Sequence, residues 1–313
     1  TTAAVGGIMI PSMEEEGYDP GFASAIQTMG GIFGPIIPPS VLMVLYAVAS
    51  GESVGDMLLA GLLPGLFLGL VLIVVVVMLC MRKGYKGSGR FSGRAAIKAF
   101  GDAFFALLAP VIILGGIYSG FMTPTEASAV CCFYCLLVGL FVYREIKITQ
   151  VCKVVYDGIK SAAGIMLIVA ATQVFGWVIT RAGIPQTVAK MFTSSISSSV
   201  VFLFAVCLIL LVAGCFIDAV PALLIFAPIF CPTAEAYGID MVHFGVVMVI
   251  VLCIGLATPP VGINLYVASS VGGQPVHKII PHLPIPLLAI TLGTVIVVLI
   301  PQITTLLPAL VNG

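Results

Sequence analysis

Two stretches of this chain set a proline pair inside an apolar segment, and that combination can build an ion site. Pro38-Pro39 follows Gly34-Pro35-Ile36-Ile37, and Pro259-Pro260 follows Gly255-Leu256-Ala257-Thr258. Proline has no N–H and forbids a continuous helix, so each pair splits a helix into two halves. At membrane depth the break strands carbonyls at the end of one half and amides at the start of the next, and lipid cannot satisfy them. Carbonyl ends carry partial negative charge and suit Na⁺; amide ends suit a carboxylate. Ser40, Thr258 and Asn264 add neutral oxygens of the kind a hard cation takes, and they are also the candidates for contact with a substrate. The bland alternative is a pair of proline kinks packed by neighbouring helices.

The two breaks belong to a longer repeat. Ile8, Pro11, Glu14, Gly17, Asp19, Gly34, Pro38 and Pro39 match Ile229, Pro232, Glu235, Gly238, Asp240, Gly255, Pro259 and Pro260, every pair 221 residues apart. Gly/Pro-interrupted segments at corresponding positions of two halves point to the binding site of a transporter.

Asp218 lies in an apolar stretch whose nearest charged residues are Lys190 and Glu235. A carboxylate at membrane depth is costly and reads as functional. At a hairpin tip formed by Asp218-Ala219 it can bind a cation, cap the following helix, or do both. Glu126 has a local explanation. Thr123-Pro124-Thr125-Glu126 has the form of a capping box with proline at the first helical position. His243, His277 and His282 lack metal-ligand spacing, and His243 reads as structural. Cys132 and Cys135 form a CxxC without a second pair or a nearby histidine, so the thiols read as small hydrophobes. No phosphate-binding GxxxxGK[ST] occurs, which argues against ATP hydrolysis.

The elements that must carry these residues are membrane spans. The chain is 60% hydrophobic and 8% charged, against about 25% charged in soluble domains. Uncharged runs at 58–81, 104–122, 127–143, 161–180, 197–217 and 284–310 approach or exceed the roughly 18–20 residues of a bilayer span. Net charge is zero, which gives no footing for nucleic acid. Arg82, Lys83, Lys86, Arg90, Arg94 and Lys98 fall together without an acid, and Arg144, Lys147, Lys153 and Lys160 form a second block. The positive-inside rule puts both blocks, and with them the loop 82–98, in the cytoplasm. The segment 146–160 alternates apolar and charged residues and is expected as an interfacial amphipathic arm. Val220 to Phe230 is expected to be too short to cross alone, and 284–310 is expected to be one span. The opening TTAAVGGIMIPSM resembles the middle of a membrane segment, so the chain is expected to lack an N-terminal part.

PSMEEEGYDPGFASAIQTMGGIFGPIIPPSVLMVLYA, GFMTPTEASAV and GLATPPVGINLYV together resemble the large membrane (M) subunit of tripartite ATP-independent periplasmic (TRAP) transporters, along the whole chain. The resemblance implies an all-α, elevator-type membrane protein with inverted repeats, re-entrant hairpins and broken helices. It is no enzyme, and needs no cofactor beyond Na⁺ as coupling ion. It implies import of organic acids such as C4-dicarboxylates or sialic acid, with a periplasmic substrate-binding (P) protein and a small membrane (Q) subunit as partners in the bacterial inner membrane. By resemblance, half of a first Na⁺ site maps to Gly34, Pro38 and Ser40, its other half belonging to a hairpin tip before Thr1. A second maps to Asp218 and Ala219 with Gly255, Thr258 and Gly262. The corresponding division is transport-domain parts at 1–50 and 166–275, scaffold at 51–165, and a C-terminal helix at 276–313. The alternatives are a stand-alone Na⁺-coupled dicarboxylate or citrate carrier of the same architecture, an intramembrane enzyme, for which Asp218 has no evident catalytic partner, and a scaffold, which leaves the registered breaks unexplained.

Overall fold

A computed structural model describes residues 1–85 and 92–312; Lys86 and Arg90 of the basic loop lie outside the described residues. The helices are α1 (Thr2–Glu15), α2 (Pro20–Gly31), α3 (Val41–Ser50), α4 (Val54–Lys83), α5 (Gly93–Tyr118), α6 (Pro124–Leu137), α7 (Val151–Arg181), α8 (Ile184–Ser195), α9 (Ser199–Phe216), α10 (Ala219–Ala236), α11 (Met241–Leu256), α12 (Ile263–Gly272), α13 (Val276–Ile279), α14 (Pro284–Leu299) and α15 (Gln302–Asn312). Among the described residues, six helices are long and apolar enough to cross a membrane, or seven if the bent pair at 276–299 counts as one span. The chain is an all-α integral membrane protein.

It divides into two compact units, Thr1–Ser88 with Val174–Gly313, and Gly89–Gln173. In the second unit α5 and α6 pair through a turn at Gly120, whose φ of +70° favours glycine. Tyr134 Oη donates to Phe105 O at 2.8 Å, tying α6 to α5, and Tyr143 Oη, just beyond the π-helical turn that follows α6, donates to Asp102 O at 2.7 Å. At the start of α6, Thr123 Oγ1 accepts the Glu126 N–H at 3.3 Å and the Glu126 carboxylate accepts the Thr123 N–H at 2.8 Å.

The first unit is built around α11. This helix is apolar on all sides, so no face of it prefers water, and every residue from His243 to Leu256 is buried. Around it pack α3, α4, α9, α10, α14 and α15. The Tyr46 ring lies directly on Gly245, and its hydroxyl donates to Met241 O at 2.8 Å. In the first turn of α11, buried His243 meets the buried Thr304 hydroxyl through Nδ1 at 2.8 Å, joining α11 to α15.

The repeats sit upside down to one another along α4. At 1.5 Å per residue its 30 residues span about 45 Å. The first acidic turn lies at the far end, where Tyr85 stacks on Tyr18 with ring centroids 4.5 Å apart and the Asp19 N–H donates to Tyr85 Oη at 3.1 Å. The second lies at the near end. There Glu52 is held above its ordinary pKa by burial and then by the carboxylates of Asp240, Asp56 and Glu235. Both turns use the same local chemistry: Gly17 and Gly238 have positive φ, and Asp19 and Asp240 cap the next helix by accepting the N–H of Phe22 and of His243, each at 2.8 Å.

Several boundaries differ from the sequence expectation. Arg82 and Lys83 form the last turn of α4, and Arg94 and Lys98 already lie on α5, so the basic loop is largely two helix ends. The amphipathic segment does not stop at Lys160. A 3₁₀ turn at Ile148–Gln150 leads into α7, one helix of 31 residues, because no proline interrupts it. α10 continues through Pro228 and Pro232 to Ala236, 18 residues, so its length permits a crossing. The expected C-terminal span is instead α14 and α15, divided at Ile300-Pro301.

Thr304→Val should lower stability by about 1–3 kcal/mol, the cost of stranding a buried polar partner, here His243 Nδ1. Thr304→Ser should stay near wild type. Thermal unfolding of the purified protein in detergent measures both, and equal melting of the two variants would remove this contact from the account of the core.

Candidate functional site

A helical carbonyl accepts from the N–H three or four residues ahead. For Pro35 those partners would be Pro38 and Pro39, and for Leu256 they would be Pro259 and Pro260. None of these has an N–H, so the repeated motif strips the same carbonyl of its donors in both halves. Both proline pairs are joined by cis peptide bonds.

The two breaks then diverge. Ser40 Oγ donates to Pro35 O and accepts the Met43 N–H at 3.2 Å, closing the first break and capping α3. The equivalent of Ser40 in the second repeat is Val261, which has no hydroxyl. Leu256 O therefore receives no hydrogen bond among the described residues. Gly262 keeps the space beside it open. Its φ is +55°, and a Cβ there would fall 2.9 Å from Thr258 O and 3.2 Å from Leu256 O. The Thr258 hydroxyl donates to Ile254 O at 2.7 Å, which leaves its oxygen lone pairs free to face a cation.

The α9–α10 connection closes on this second break. α9 ends at Phe216 and Asp218 stands at the N-cap of α10. Cys215 O accepts the Gly262 N–H at 3.2 Å, and Gly214 packs backbone to backbone on Gly255. The C-terminal ends of α9 and α11 thus converge, and both carry negative partial charge. Asp218 is exposed and makes no side-chain capping bond; Ala219 beside it is buried.

At the first break Gly34 lies against the Thr1 hydroxyl and Gly31 against that of Thr2, which is buried without a hydrogen-bond partner. The Asn264 side chain reaches the same place: Nδ2 stands 3.4 Å from where a Cβ on Gly31 would be. The end of α2 therefore meets the start of α12, and the two breaks share one level of the molecule. Packing interlocks the repeats. α1 lies on α2 and α12, while α10 lies on α11 and α3, so each repeat holds the half-helix of the other.

The structure thus brings Gly255, Thr258 and Gly262 to the end of α9 near Asp218, and Asn264 to the first break. It leaves Thr123, Pro124 and Glu126 in the other unit, where they form the α6 cap. Sequence reasoning missed Leu256 O and Gly214. The first was readable, since two prolines at the third and fourth positions ahead remove both donors. Gly214 gave only the faint signal of a glycine one turn before the lone aspartate of an apolar stretch.

The family profile described as Tripartite ATP-independent periplasmic transporter, DctM component, matches residues 1–312. The sialic acid TRAP transporter large permease protein SiaM of Vibrio cholerae is 38% identical over 309 residues, 99% of this chain and 72% of that protein. The C4-dicarboxylate large permease DctM of Pseudomonas aeruginosa is 42% identical over 308 residues, 98% of this chain and 72% of that protein. The isethionate permease DctMQ of Oleidesulfovibrio alaskensis is 37% identical over 99% of this chain, which covers 48% of it. With its duplicated, proline-broken helices and a match along almost its whole length, the chain belongs to the DctM family of TRAP transporter large permeases.

Proposed function

We propose that this permease works as the membrane-embedded part of a Na⁺-coupled importer of organic acids, receiving its substrate from a periplasmic binding protein and assembling with a small membrane subunit in the bacterial inner membrane. The observation that carries the reading is the convergence of two helix C-termini, α9 and α11, on the unpaired carbonyl of Leu256. Two negative dipole ends and an orphan carbonyl repel one another unless a cation lies between them. Leu256 O, Thr258 O and the Thr258 hydroxyl would supply hard oxygen ligands, and Asp218 a nearby full charge. The Ser40 closure makes Pro35 O a poorer ligand, so a first cation would depend on Gly34, Pro38 and the Thr1–Thr2 hydroxyls. An acid substrate suits the names of the relatives, which cite sialic acid, C4-dicarboxylates and isethionate, and Asn264 beside Gly31 offers an amide at the meeting of the breaks. The interlocked repeats suit a body that moves as one, as an elevator requires. The basic helix ends around 82–98 would face the cytoplasm.

The reading is tested in vesicles that hold the complete transporter and its binding protein. Uptake of a panel of labelled organic acids should need both the binding protein and an inward Na⁺ gradient, and Asp218→Asn should raise the Na⁺ concentration for half-maximal uptake. Equal uptake on a K⁺ gradient would refute coupling.

Val261→Ser would place a hydroxyl where Ser40 places one in the first repeat, so Leu256 O should be capped and withdrawn from the cation. Na⁺ activation should weaken without loss of melting temperature; unchanged activation would remove Leu256 O from the site. Single cysteines at Arg94 or Lys98 should resist an impermeant thiol reagent added outside intact spheroplasts, and ready labelling would invert the topology.

A further inference from the structure

α9 approaches the second break more closely than any side chain would permit. A Cβ on Gly214 would fall 3.0 Å from Leu252 O and 3.1 Å from Gly255 Cα, and one on Gly255 would fall 2.6 Å from Gly214 Cα. These clashes are with backbone, so no rotamer relieves them and the two helices would have to part. One residue further on, the Gly262 N–H to Cys215 O bond, at 3.2 Å, already sits at the long end of its range. A few tenths of an ångström of separation would lose it.

We infer that Gly214 is a positioning residue for cation coupling, setting the distance between the Asp218 turn and the carbonyls of the second break by its backbone contact with Gly255. The inference rests on the Na⁺ reading above. A small-residue contact can also be simple helix packing. Here the contact falls in the last turn of both helices, α9 ending at Phe216 and α11 at Leu256, where their carbonyl ends face each other. It is followed at once by a backbone bond from Gly262, whose missing side chain keeps Leu256 O and Thr258 O open. Asp218 lies three residues beyond Cys215, at the start of α10. A shift at Gly214 therefore moves the carboxylate and the carbonyls relative to each other, while the substrate-side Asn264 sits at the other break against Gly31.

The test is Gly214→Ala in the complete, reconstituted transporter, with Gly176→Ala as control, since a Cβ on Gly176 has its nearest neighbour at 3.9 Å. Gly214→Ala should raise the Na⁺ half-saturation about three- to tenfold, less than the roughly hundredfold cost of a full ångström of misplacement, because the helices part by only about a few tenths of an ångström. Its maximal rate at saturating Na⁺ and its substrate half-saturation should stay near wild type, and Gly176→Ala should change none of these. A Gly214→Ala protein with lower melting temperature and maximal rate but an unmoved Na⁺ half-saturation overturns the inference and leaves the Na⁺ reading standing. Wild-type uptake without Na⁺ dependence defeats that reading itself, and this inference with it. Should Gly214→Ala not fold, amide hydrogen exchange of the wild type decides: Na⁺, but not K⁺, should protect the segments 210–218 and 255–263 together. Protection of one segment alone overturns the inference.

Discussion

Lipid offers no hydrogen bonds, so every backbone N–H and C=O at membrane depth must find a partner within the protein or hold an ion. The two proline pairs violate that requirement on purpose. Each removes both donors from one carbonyl, and the surrounding structure is arranged around how that carbonyl is treated. In the first repeat Ser40 satisfies it and the break becomes a capped helix start. In the second, Val261 cannot, and the carbonyl stays open between two helix ends.

The same constraint explains the close packing around the second break. A free carbonyl is tolerable only where lipid is excluded, and α11 is accordingly buried at every residue from His243 to Leu256. Backbone contact between Gly214 and Gly255 brings α9 near enough for a main-chain bond from Gly262, which seals the break from one side. On the other repeat, Gly31 and Gly34 admit the Thr2 and Thr1 hydroxyls in the same way. Glycine here serves close approach rather than flexibility.

Inversion gives the arrangement its symmetry. Two acidic turns with the same aspartate cap and the same positive-φ glycine lie at opposite ends of α4, so the helices that follow them run in from opposite ends of that helix and break where they meet. Each repeat packs on part of the other's broken helix, α1 and α2 on α12 and α10 on α3. The two breaks are structurally similar but chemically unequal: serine against valine decides whether the carbonyl is capped, and Thr258 and Gly262 stand where the first repeat has Ile37 and Val41.

Much of this was legible in the sequence. Composition and uncharged runs specify an all-α membrane protein, because only helices close their own hydrogen bonds in lipid. The breaks, the Thr123–Glu126 capping box and the repeat follow from residue type and spacing, since proline, glycine and threonine with glutamate act through local geometry. Boundaries set by long-range packing were not legible. α10 runs past Pro228 and Pro232, an event that leaves no local signal, and α7 runs through Lys160 without pause although the residue pattern changes there. Nor could spacing reveal that Ser40 turns inward to Pro35, that Gly214 rests on Gly255, or that Asn264 meets Gly31 from more than two hundred residues away. The last two are contacts between distant segments and the first is a side-chain orientation, and only the packed chain decides which carbonyl is closed and which stays open.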